Sequence, residues 1–369
     1  MSILSIKNLC KVYSGKMIAL DSVSIDMEDN GFLILLGPGG SGKSVLLKTI
    51  AGIEKETSGD IYIDRKSINQ LDPVNRGVSI ILKNYVLYPN MTVKKNVEYS
   101  LVLKGYKREM TDGMIMKFAK VLGIEHLLDK VPEDLTQSEK NSIIFLRTLV
   151  TDPKVILIDD AFNGTDLETF NHTKDSLLNI HNKIKKTFIY STENPQKALK
   201  FNKRIAVINK GRIQQIGFKE ELLSHPANCF VLRMLYGEKM NIGKAVLKKD
   251  DEGYMLSFLS TTLRLPRKFD HEILQKYVGK SVWMAIDVRD IYCNEKPEKV
   301  KSPAIIHTRI KVKNEQITHK YYQFELNFSR FNFKPKAGAT FKDKDKIDIC
   351  FDMDKVFLFN KQSEKNLFM

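Results

Sequence analysis

The sequence predicts an α/β fold, a mainly parallel sheet with an inserted helical subdomain, followed by a C-terminal all-β region. A glycine-rich loop stands between an apolar strand and an apolar-periodic helix near residue 40. Strand and helix patterns then alternate up to about residue 236, as they do in parallel sheets covered by helices. Beyond about residue 237 short strands alternate with turn residues, which is typical of a small barrel.

The first elements are predicted from period-two alternation and from short apolar runs. Residues 3–8 and 17–27 alternate as strands do, and the run GFLILL before residue 37 predicts a buried strand. The next stretch, GPGGSGKS at residues 37–44, fits the pattern G-x-x-x-x-G-K-[ST] at every fixed position. SVLLKTIAGI then carries apolar residues at helical spacing, so the loop joins a strand to a helix.

This loop predicts a binding site for a nucleoside triphosphate, with ATP and Mg²⁺ as cofactors. Its glycine residues let backbone N–H groups turn inward around the phosphates, and the following helix directs its positive end at them. Lys43 adds a cation, and Ser44 offers a hydroxyl to Mg²⁺. The predicted nucleotide-binding residues of this loop are Gly37, Pro38, Gly39, Gly40, Ser41, Gly42, Lys43 and Ser44.

The remaining elements up to about residue 236 continue the α/β pattern. DIYID and GVSIIL predict strands, and residues from about 88 to 150 turn helical, including a helix that begins near Thr136. VILIDD then predicts a buried strand that ends in two carboxylates. We place one domain at residues 1–236 and an all-β domain at residues 237–369. The other predicted elements are a helix over 167–184, a strand over 187–192, a helix over 195–201, a hairpin over 204–217 and a helix over 221–237.

Composition and charge limit the class of protein. A length of 369 residues is enough for two domains. We expect a cytosolic protein, because no apolar run approaches the roughly 20 residues that span a bilayer and the N-terminus lacks a signal-peptide pattern. The net charge of +15 does not by itself predict nucleic-acid binding, because the lysines are interleaved with acidic residues.

The order of these segments resembles the ATP-binding subunit of an ABC importer, in the branch that serves carbohydrate uptake (the maltose and multiple-sugar type). In the tail, VWMAIDVRDI and FDMDKVFLFN resemble a regulatory barrel of OB-fold type. The resemblance implies that Tyr13 stacks on adenine and that Asp159 is the carboxylate on the metal side. The segments that carry it are YSGKMIALDSVSIDMEDNGFLILLGPGGSGKS, IAGIEKETSGDIYID, NYVLYPNMTVKKNVEYSL, PKVILIDD and RIAVINKGRIQQIG.

The same resemblance implies partners and a location. It implies a dimer with a second ATP-binding subunit, homo- or heterodimeric, docked to integral-membrane permease subunits at the cytoplasmic face of the cell membrane. Residues 85–97 resemble the surface that receives the permeases, and packing within the subdomain is the alternative for its aromatic residues.

Aromatic residues near lysine and arginine in the tail make a nucleic-acid groove conceivable. Packing in the core of the strands explains them better, and we predict no nucleic-acid partner. These aromatic residues are Tyr321, Tyr322, Phe324, Phe328, Phe331 and Phe333.

Three residues depart from the family pattern at the reacting centre. Lys83 stands where a neutral amide would reach Mg²⁺ and the attacking water, and a lysine cannot accept a hydrogen bond. Asp160 replaces the glutamate that resembles a general base, and a misplacement near 1 Å can cost on the order of 100-fold in rate. Glu193 replaces a histidine that contacts the γ-phosphate, which a carboxylate repels. A solvent-facing Lys83 without a role is the alternative at the first position.

The family's signature segment LSGGQ is altered to LTQSE. Gln137 and Ser138 replace two glycines that let the partner's γ-phosphate approach the backbone, and Glu139 adds negative charge there. Thr136 and Glu139 still form a T-x-x-E capping box. We therefore expect the helix to be kept and the phosphate contact to be weakened.

These departures lead to one hypothesis and three interpretations. Lys83 and Glu193 should both face the γ-phosphate site, and we hypothesise that they form an ion pair across it. The leading interpretation is an importer subunit that binds Mg·ATP, hydrolyses it poorly and is paired with a competent ATPase subunit. Since the signature is altered too, a slow homodimeric ATPase with Asp160 as a weaker base stays open. A nucleotide-sensing regulator outside transport is the third.

Overall fold

A computed structural model describes most of the chain. The described residues are 2–83, 85–161, 167–258, 261–295, 297–298, 300–311, 322–326, 329–335 and 341–369. They divide into two compact units, Met1–Lys219 and Glu220–Met369.

This division comes earlier than the predicted boundary after residue 236, because the helix over residues 229–236 belongs to the second unit. Its Cys229 and Leu232 are buried in one cluster with three residues of the following strands. Those residues are Met240, Ala285 and Phe359. The change in sequence texture at residue 237 therefore marks the first β-strand rather than the start of the unit.

The first unit alternates strands and helices as predicted. Its elements are β1 (Ser2–Tyr13), β2 (Met17–Glu28), β3 (Phe32–Leu36), α1 (Lys43–Ala51), β4 (Ser58–Ile63), β5 (Lys66–Ser67), β6 (Val78–Ile81), α2 (Val93–Leu103), α3 (Arg108–Leu122), α4 (Gln137–Leu149), β7 (Val155–Asp159), α5 (Leu167–Ile184), β8 (Thr187–Thr192), α6 (Pro195–Lys200), β9 (Arg204–Asn209) and β10 (Arg212–Gly217).

The described strands of this unit form two sheets. One is antiparallel, in the order β2-β1-β4-β5, and the other has the order β10-β9-β3-β8-β7-β6. The second sheet is parallel from β9 to β6 and has β10 antiparallel at its edge. All residues of β3 and β7 are buried, which explains why both strands are continuous apolar runs. The prediction of a mainly parallel sheet is confirmed.

The inserted helical subdomain is also present, as α2, α3 and α4 between β6 and β7. Helix α2 contacts both α3 and α4, and α3 contacts α4. Thr136 caps α4, and its capping box with Glu139 is complete in both directions.

The second unit is the predicted all-β region. Its elements, with the helix that leads into it, are α7 (Lys219–Ser224), α8 (Cys229–Tyr236), β11 (Met240–Asp250), β12 (Gly253–Phe258), β13 (Thr261–Arg264), α9 (Glu272–Gln275), β14 (Ser281–Asp287), β15 (Ile291–Cys293), β16 (Pro303–Lys311), β17 (Tyr322–Leu326), β18 (Ser329–Phe333), β19 (Lys346–Asp352) and β20 (Phe357–Asn360).

The described strands of the second unit form two five-stranded sheets around one buried core. Their orders are β13-β12-β11-β14-β20 and β15-β19-β16-β17-β18. Phe324, Phe331 and Phe333 are fully buried in this core, which supports core packing for the tail aromatics. Tyr321 and Phe328 lie outside the described residues.

One predicted helix and one strand-forming segment in the second unit are divided in the structure. The helix predicted over residues 221–237 is interrupted at Pro226, which has no N–H to donate, and Asn228 starts α8 as its N-cap. Residues 346–359, KIDICFDMDKVFLF, form two strands in different sheets, joined by a 3₁₀ turn at Met353–Lys355. In the described part of the chain, no helix combines the length and the apolar character that crossing a membrane requires.

The C-terminal end of α1 is held by a buried arginine. The guanidinium of Arg76 donates to the carbonyl oxygens of Thr49 at 2.9 Å and Ile50 at 3.2 Å. It also donates to those of Asn69 at 2.9 Å and Leu71 at 3.0 Å. Since a buried cation with these partners completes the end of the helix, Arg76 fixes the helix that follows the phosphate-binding loop.

The substitution Arg76→Met should lower the free energy of unfolding by about 3 kcal/mol, because it leaves several carbonyl oxygens without their donor. Chemical denaturation measures this change. Arg108→Met, at an arginine whose side chain is 84% exposed, is the control and should shift stability by less than about 0.5 kcal/mol. Equal effects of the two substitutions would contradict the role of Arg76.

Candidate nucleotide site

The candidate site lies at the carboxyl ends of four neighbouring parallel strands, where ligands bind in open α/β sheets. Gly37 follows β3, Glu193 follows β8, Asp160 follows β7 and Lys83 comes two residues after β6. The sheet order β3-β8-β7-β6 places these positions side by side. Folding therefore brings together residues that are up to 156 positions apart in the sequence.

The loop from Gly37 to Gly42 needs glycine at both ends. A Cβ on Gly37 would lie 2.4 Å from the carbonyl oxygen of Ile208, and one on Gly42 would lie 2.6 Å from that of Ala19. Gly42 also has φ of 104°, in the region that favours glycine. The loop is thus packed tightly against β9 and β2, and α1 begins directly after it.

Lys43 is buried under the loop and donates back to it. Its ammonium nitrogen Nζ lies 2.8 Å from the carbonyl oxygens of Gly37 and Pro38, and 3.5 Å from Oγ of Ser41. Burial lowers the pKa of Lys43, while the carboxylates of Glu193, Asp160 and Asp159 counteract this. Lys43 is therefore the cation at the centre of three acidic side chains.

Ser44 and Asp159 form the part of the site that fits a divalent cation. Ser44 Oγ donates to Asp159 Oδ1 at 3.0 Å, and Ser191 Oγ donates to the same oxygen at 2.9 Å. Mg²⁺ prefers oxygen ligands and commonly takes one or two from protein together with waters and substrate phosphates. A hydroxyl and a carboxylate next to a phosphate-binding loop fit that requirement, so these two residues could hold the metal.

Asp160 is buried and paired with Lys83. Lys83 Nζ lies 3.8 Å from Asp160 Oδ2, and the two side chains are 60% and 6% exposed. Burial raises the pKa of Asp160 to about 6, Lys83 and Lys43 act to lower it, and Glu193 and Asp159 raise it further. Lys83 is therefore not a solvent-facing residue without a contact.

Glu193 is paired with Lys43, with 3.7 Å between Nζ and Oε1. The hypothesis of an ion pair between Lys83 and Glu193 is therefore wrong for the arrangement that these described residues adopt. The reason is the register of the strands, since Asp160 follows β7, which pairs directly with β6, whereas Glu193 follows β8 next to the loop. Lys83 is therefore paired with Asp160, and Glu193 is paired with Lys43.

Tyr13, the predicted adenine-stacking residue, is the last residue of β1 and is connected to α1 through Glu54. Its hydroxyl donates to Glu54, and this hydrogen bond raises the pKa of Tyr13 to about 12. Glu54 in turn lies 3.9 Å from the ammonium of Lys48 in α1. The ammonium of Lys11 lies 4.9 Å from the Tyr13 ring centroid, so a stacked base would share this ring with a cation.

The altered signature residues form the start of α4. The backbone N–H of Thr136 donates to Glu139 and lowers the pKa of that carboxyl. The Gln137 side-chain amide donates to the Tyr85 hydroxyl at 3.2 Å and to Asn141 Oδ1 at 3.1 Å, and Tyr85 donates to Asn141 as well. Ser138 lies beside them in the first turn of the helix.

Two residues near the site were not singled out in the sequence. Ser191 could have been found from strand alignment, because it pairs directly with Asp159. Lys197 is buried in α6, and its ammonium lies 4.9 Å from the Phe170 ring centroid. Burial lowers the pKa of Lys197 and Asp160 partly offsets this. A lysine in a short polar helix carries no sequence signal of burial.

The loop, the buried lysine and the Ser44–Asp159 pair define a P-loop nucleotide-binding protein. Residues 20–163 match the ABC transporter family. The sn-glycerol-3-phosphate import ATP-binding protein UgpC of Yersinia enterocolitica is 31% identical over 268 residues, which are 72% of this chain and 74% of that protein. The chain belongs to the ATP-binding proteins of ABC transporters, as predicted, and nucleotide binding follows from that membership.

Further relatives extend the similarity to the whole chain. The oligosaccharides import ATP-binding protein MsmX of Bacillus subtilis is 28% identical over 365 residues, 99% of both chains. The ATP-binding cassette MJ1267 of an ABC transporter, solved in its ADP conformation, superposes with a TM-score of 0.58 at 25% identity, over 64% of this chain and all of that one. Similarity to the carbohydrate-importer branch was predicted and is confirmed.

The stability of the chain should depend on the ionisation of Asp160. With its pKa raised from the usual 3.8 to about 6, this carboxyl binds its proton more tightly in the folded chain than in the unfolded chain. Stability is therefore lost as the pH rises from about 4 through about 6, by about 3 kcal/mol relative to a neutral side chain. Asp160→Asn should remove this loss.

Chemical denaturation at about pH 4.5 and about pH 7.5 checks the linkage. The variant should gain stability over the wild type at the higher pH and little at the lower one. Lys83→Gln removes the nearest cation, raises the pKa of Asp160 further and should steepen the loss in the wild-type background. A difference between Asp160→Asn and wild type that does not change with pH would contradict this assignment.

Proposed function

We propose that this chain is the nucleotide-binding subunit of an ABC importer for carbohydrate, that it binds Mg·ATP, and that it hydrolyses ATP slowly. The observation that carries the proposal is the bond from Ser44 to Asp159 beside Lys43, because it keeps the loop, the metal ligands and the cation in one place. The import role is supported by relatives that are named as import proteins for sn-glycerol-3-phosphate and for oligosaccharides.

Slow hydrolysis is supported by the contacts of the two substituted carboxylates. Asp160 is the residue that would accept a proton from the attacking water. Its Oδ2 lies 3.8 Å from Lys83 Nζ. Glu193 places a carboxylate where the family has a histidine that contacts the γ-phosphate. Its Oε1 lies 3.7 Å from Lys43 Nζ. A general base is most effective when it is free and its pKa is near the working pH, and here the base is already engaged by a cation.

The nature of the ATP-binding partner follows from the same reasoning. We propose that the subunit pairs with a second ATP-binding subunit that has a competent reacting centre. The first turn of α4 presents Gln137 and Ser138 in place of a glycine pair and Glu139 in place of a neutral residue, so this segment would serve a partner's nucleotide poorly. Because this chain's own reacting centre is altered as well, each composite site of the heterodimer would contain one altered segment, and turnover would depend on the base that the partner supplies.

One observation favours a second candidate, a slow homodimeric ATPase. Because burial raises the pKa of Asp160 to about 6, this carboxyl is mostly ionised at neutral pH and its basicity is close to what general-base catalysis requires. The residue retains some capacity as a base despite its shorter side chain.

The permease-docking surface that we propose is a groove beside the segment at residues 85–88. The groove has a volume of about 330 Å³ and lies between β6, α2 and α4. Two of its apolar lining residues are exposed, Val86 at 72% and Leu82 at 37%. Exposed apolar side chains beside a groove are a common feature of interaction sites.

The segment that borders this groove is fixed by hydrogen bonds to its backbone. Asn96 is fully buried, accepts from the backbone N–H of Tyr88 and donates to the carbonyl oxygens of Tyr88 and Met91. Arg147 donates to the carbonyl oxygen of Val86 at 3.1 Å and lies 5.4 Å from the Tyr88 ring centroid. A preformed groove with both apolar and polar lining residues suits an amphipathic helix presented by a membrane subunit. We place the protein at the cytoplasmic face of the membrane through this contact.

The purified chain alone should hydrolyse ATP well below about 1 s⁻¹, the low end of ordinary enzyme turnover. The double substitution Asp160→Glu with Glu193→His restores a longer base and a proton-bearing side chain. It should raise the rate by roughly 10- to 100-fold. Release of phosphate measures both values, and Asp160→Asn is the control that should remove the residual rate.

A wild-type turnover of about 1 s⁻¹ or more would overturn slow hydrolysis and favour the homodimeric ATPase. No gain in the double variant would place the main defect in the first turn of α4 rather than at the two carboxylates.

The substitution Val86→Glu should reduce co-purification with the permease subunits at least about tenfold, because it buries a charge in an apolar contact. The stability of the isolated chain should change little, since Val86 is 72% exposed. Val74→Glu changes a valine that is 49% exposed outside the groove and is the matched control. Equal recovery of permease subunits with both variants would rule out this surface.

A further inference from the structure

The carboxylate of Glu193 lies over the phosphate-binding loop. Its Oε1 is 3.7 Å from Lys43 Nζ. A Cβ built on Gly39 would lie 3.5 Å from Oε1 and 3.7 Å from Oε2, so both carboxylate oxygens face the middle of the loop. The side chain is 49% exposed and has solvent on its other side.

Lys43 has little capacity left for an additional anion while Glu193 stands there. An ammonium group has three protons, and the nitrogen already has contacts to Gly37, Pro38 and Ser41. The Glu193 carboxylate is a fourth group beside the same nitrogen, at 3.7 Å. A new anion on Lys43 must therefore displace this carboxylate or share the cation with it.

The phosphates of a bound nucleotide differ in how close they come to the Glu193 carboxylate. In a G-x-x-x-x-G-K-[ST] loop the backbone N–H groups hold the α- and β-phosphates, and the lysine reaches the β- and γ-phosphates. A nucleoside diphosphate places only its β-phosphate near Lys43, where the backbone N–H groups hold it too, whereas a triphosphate adds the γ-phosphate on the side of Lys43. Two anions about 4 Å apart near a protein surface repel strongly enough to change an equilibrium constant by tenfold or more.

We infer that Glu193 acts as an internal competitor of the terminal phosphate, so that this site binds a nucleoside diphosphate in preference to a nucleoside triphosphate. The inference rests on the proposed nucleotide-binding function and names the ligand that the site favours. A diphosphate shares Lys43 with Glu193 through its β-phosphate alone, whereas the γ-phosphate of a triphosphate requires the half-exposed glutamate to turn towards solvent.

Isothermal titration of the full-length chain with MgADP and with the magnesium complex of adenylyl-imidodiphosphate, a triphosphate that is not hydrolysed, tests this preference. The wild type should bind the triphosphate at least roughly tenfold more weakly than MgADP. Glu193→Gln should tighten triphosphate binding by roughly tenfold and change MgADP affinity by less than about threefold.

The control is Glu109→Gln, which removes the same charge at an exposed residue in the first turn of α3 and should keep the wild-type ratio of affinities. An unchanged ratio in Glu193→Gln, with both ligands still bound, would overturn this inference and leave the proposed function standing. Failure of wild type to bind either ligand at millimolar concentration would overturn both. A circular-dichroism melt shows that each variant is folded, so that a loss of binding is assigned to the site.

Discussion

The rest of the site depends on one carboxylate, that of Asp159. It ends β7, accepts a hydrogen bond from Ser44 in the first turn of α1 and another from Ser191 on β8. Because the carboxylate is buried and charge-assisted hydrogen bonds are the strong ones, it fixes the loop and two neighbouring strands against each other. The positions of Lys43, Asp160 and Glu193 follow from that arrangement.

Around this anchor, unusual charges are balanced in pairs. Lys83 compensates Asp160 at one end, and Lys43 compensates Glu193 at the other. The charge departs from the family pattern at Lys83 and Glu193, and each of these two residues lies beside an opposite charge, which offsets the cost of placing it in the site.

The fold and most of the site could be predicted because the signals are local. The loop is defined by eight consecutive residues, and the alternation of strands and helices indicates a parallel sheet, whereas the order of the strands in that sheet was not predicted. The partner of Lys83 could not be predicted, since it depends on strand register and on side-chain reach over about 4 Å. The start of the second unit was missed because α8 packs by contacts such as Leu232 with Met240, which no local pattern shows.

The hydrogen bonds among Tyr85, Gln137 and Asn141 connect the groove with the nucleotide site. They attach the segment bordering the groove to the beginning of α4, while Lys83 in the same stretch of chain touches Asp160. A displacement of this stretch would therefore change two sets of contacts together, that of Lys83 with Asp160 and those in the first turn of α4. The short segment that contains Lys83 and Tyr85 thus connects the border of the groove to the charge on Asp160.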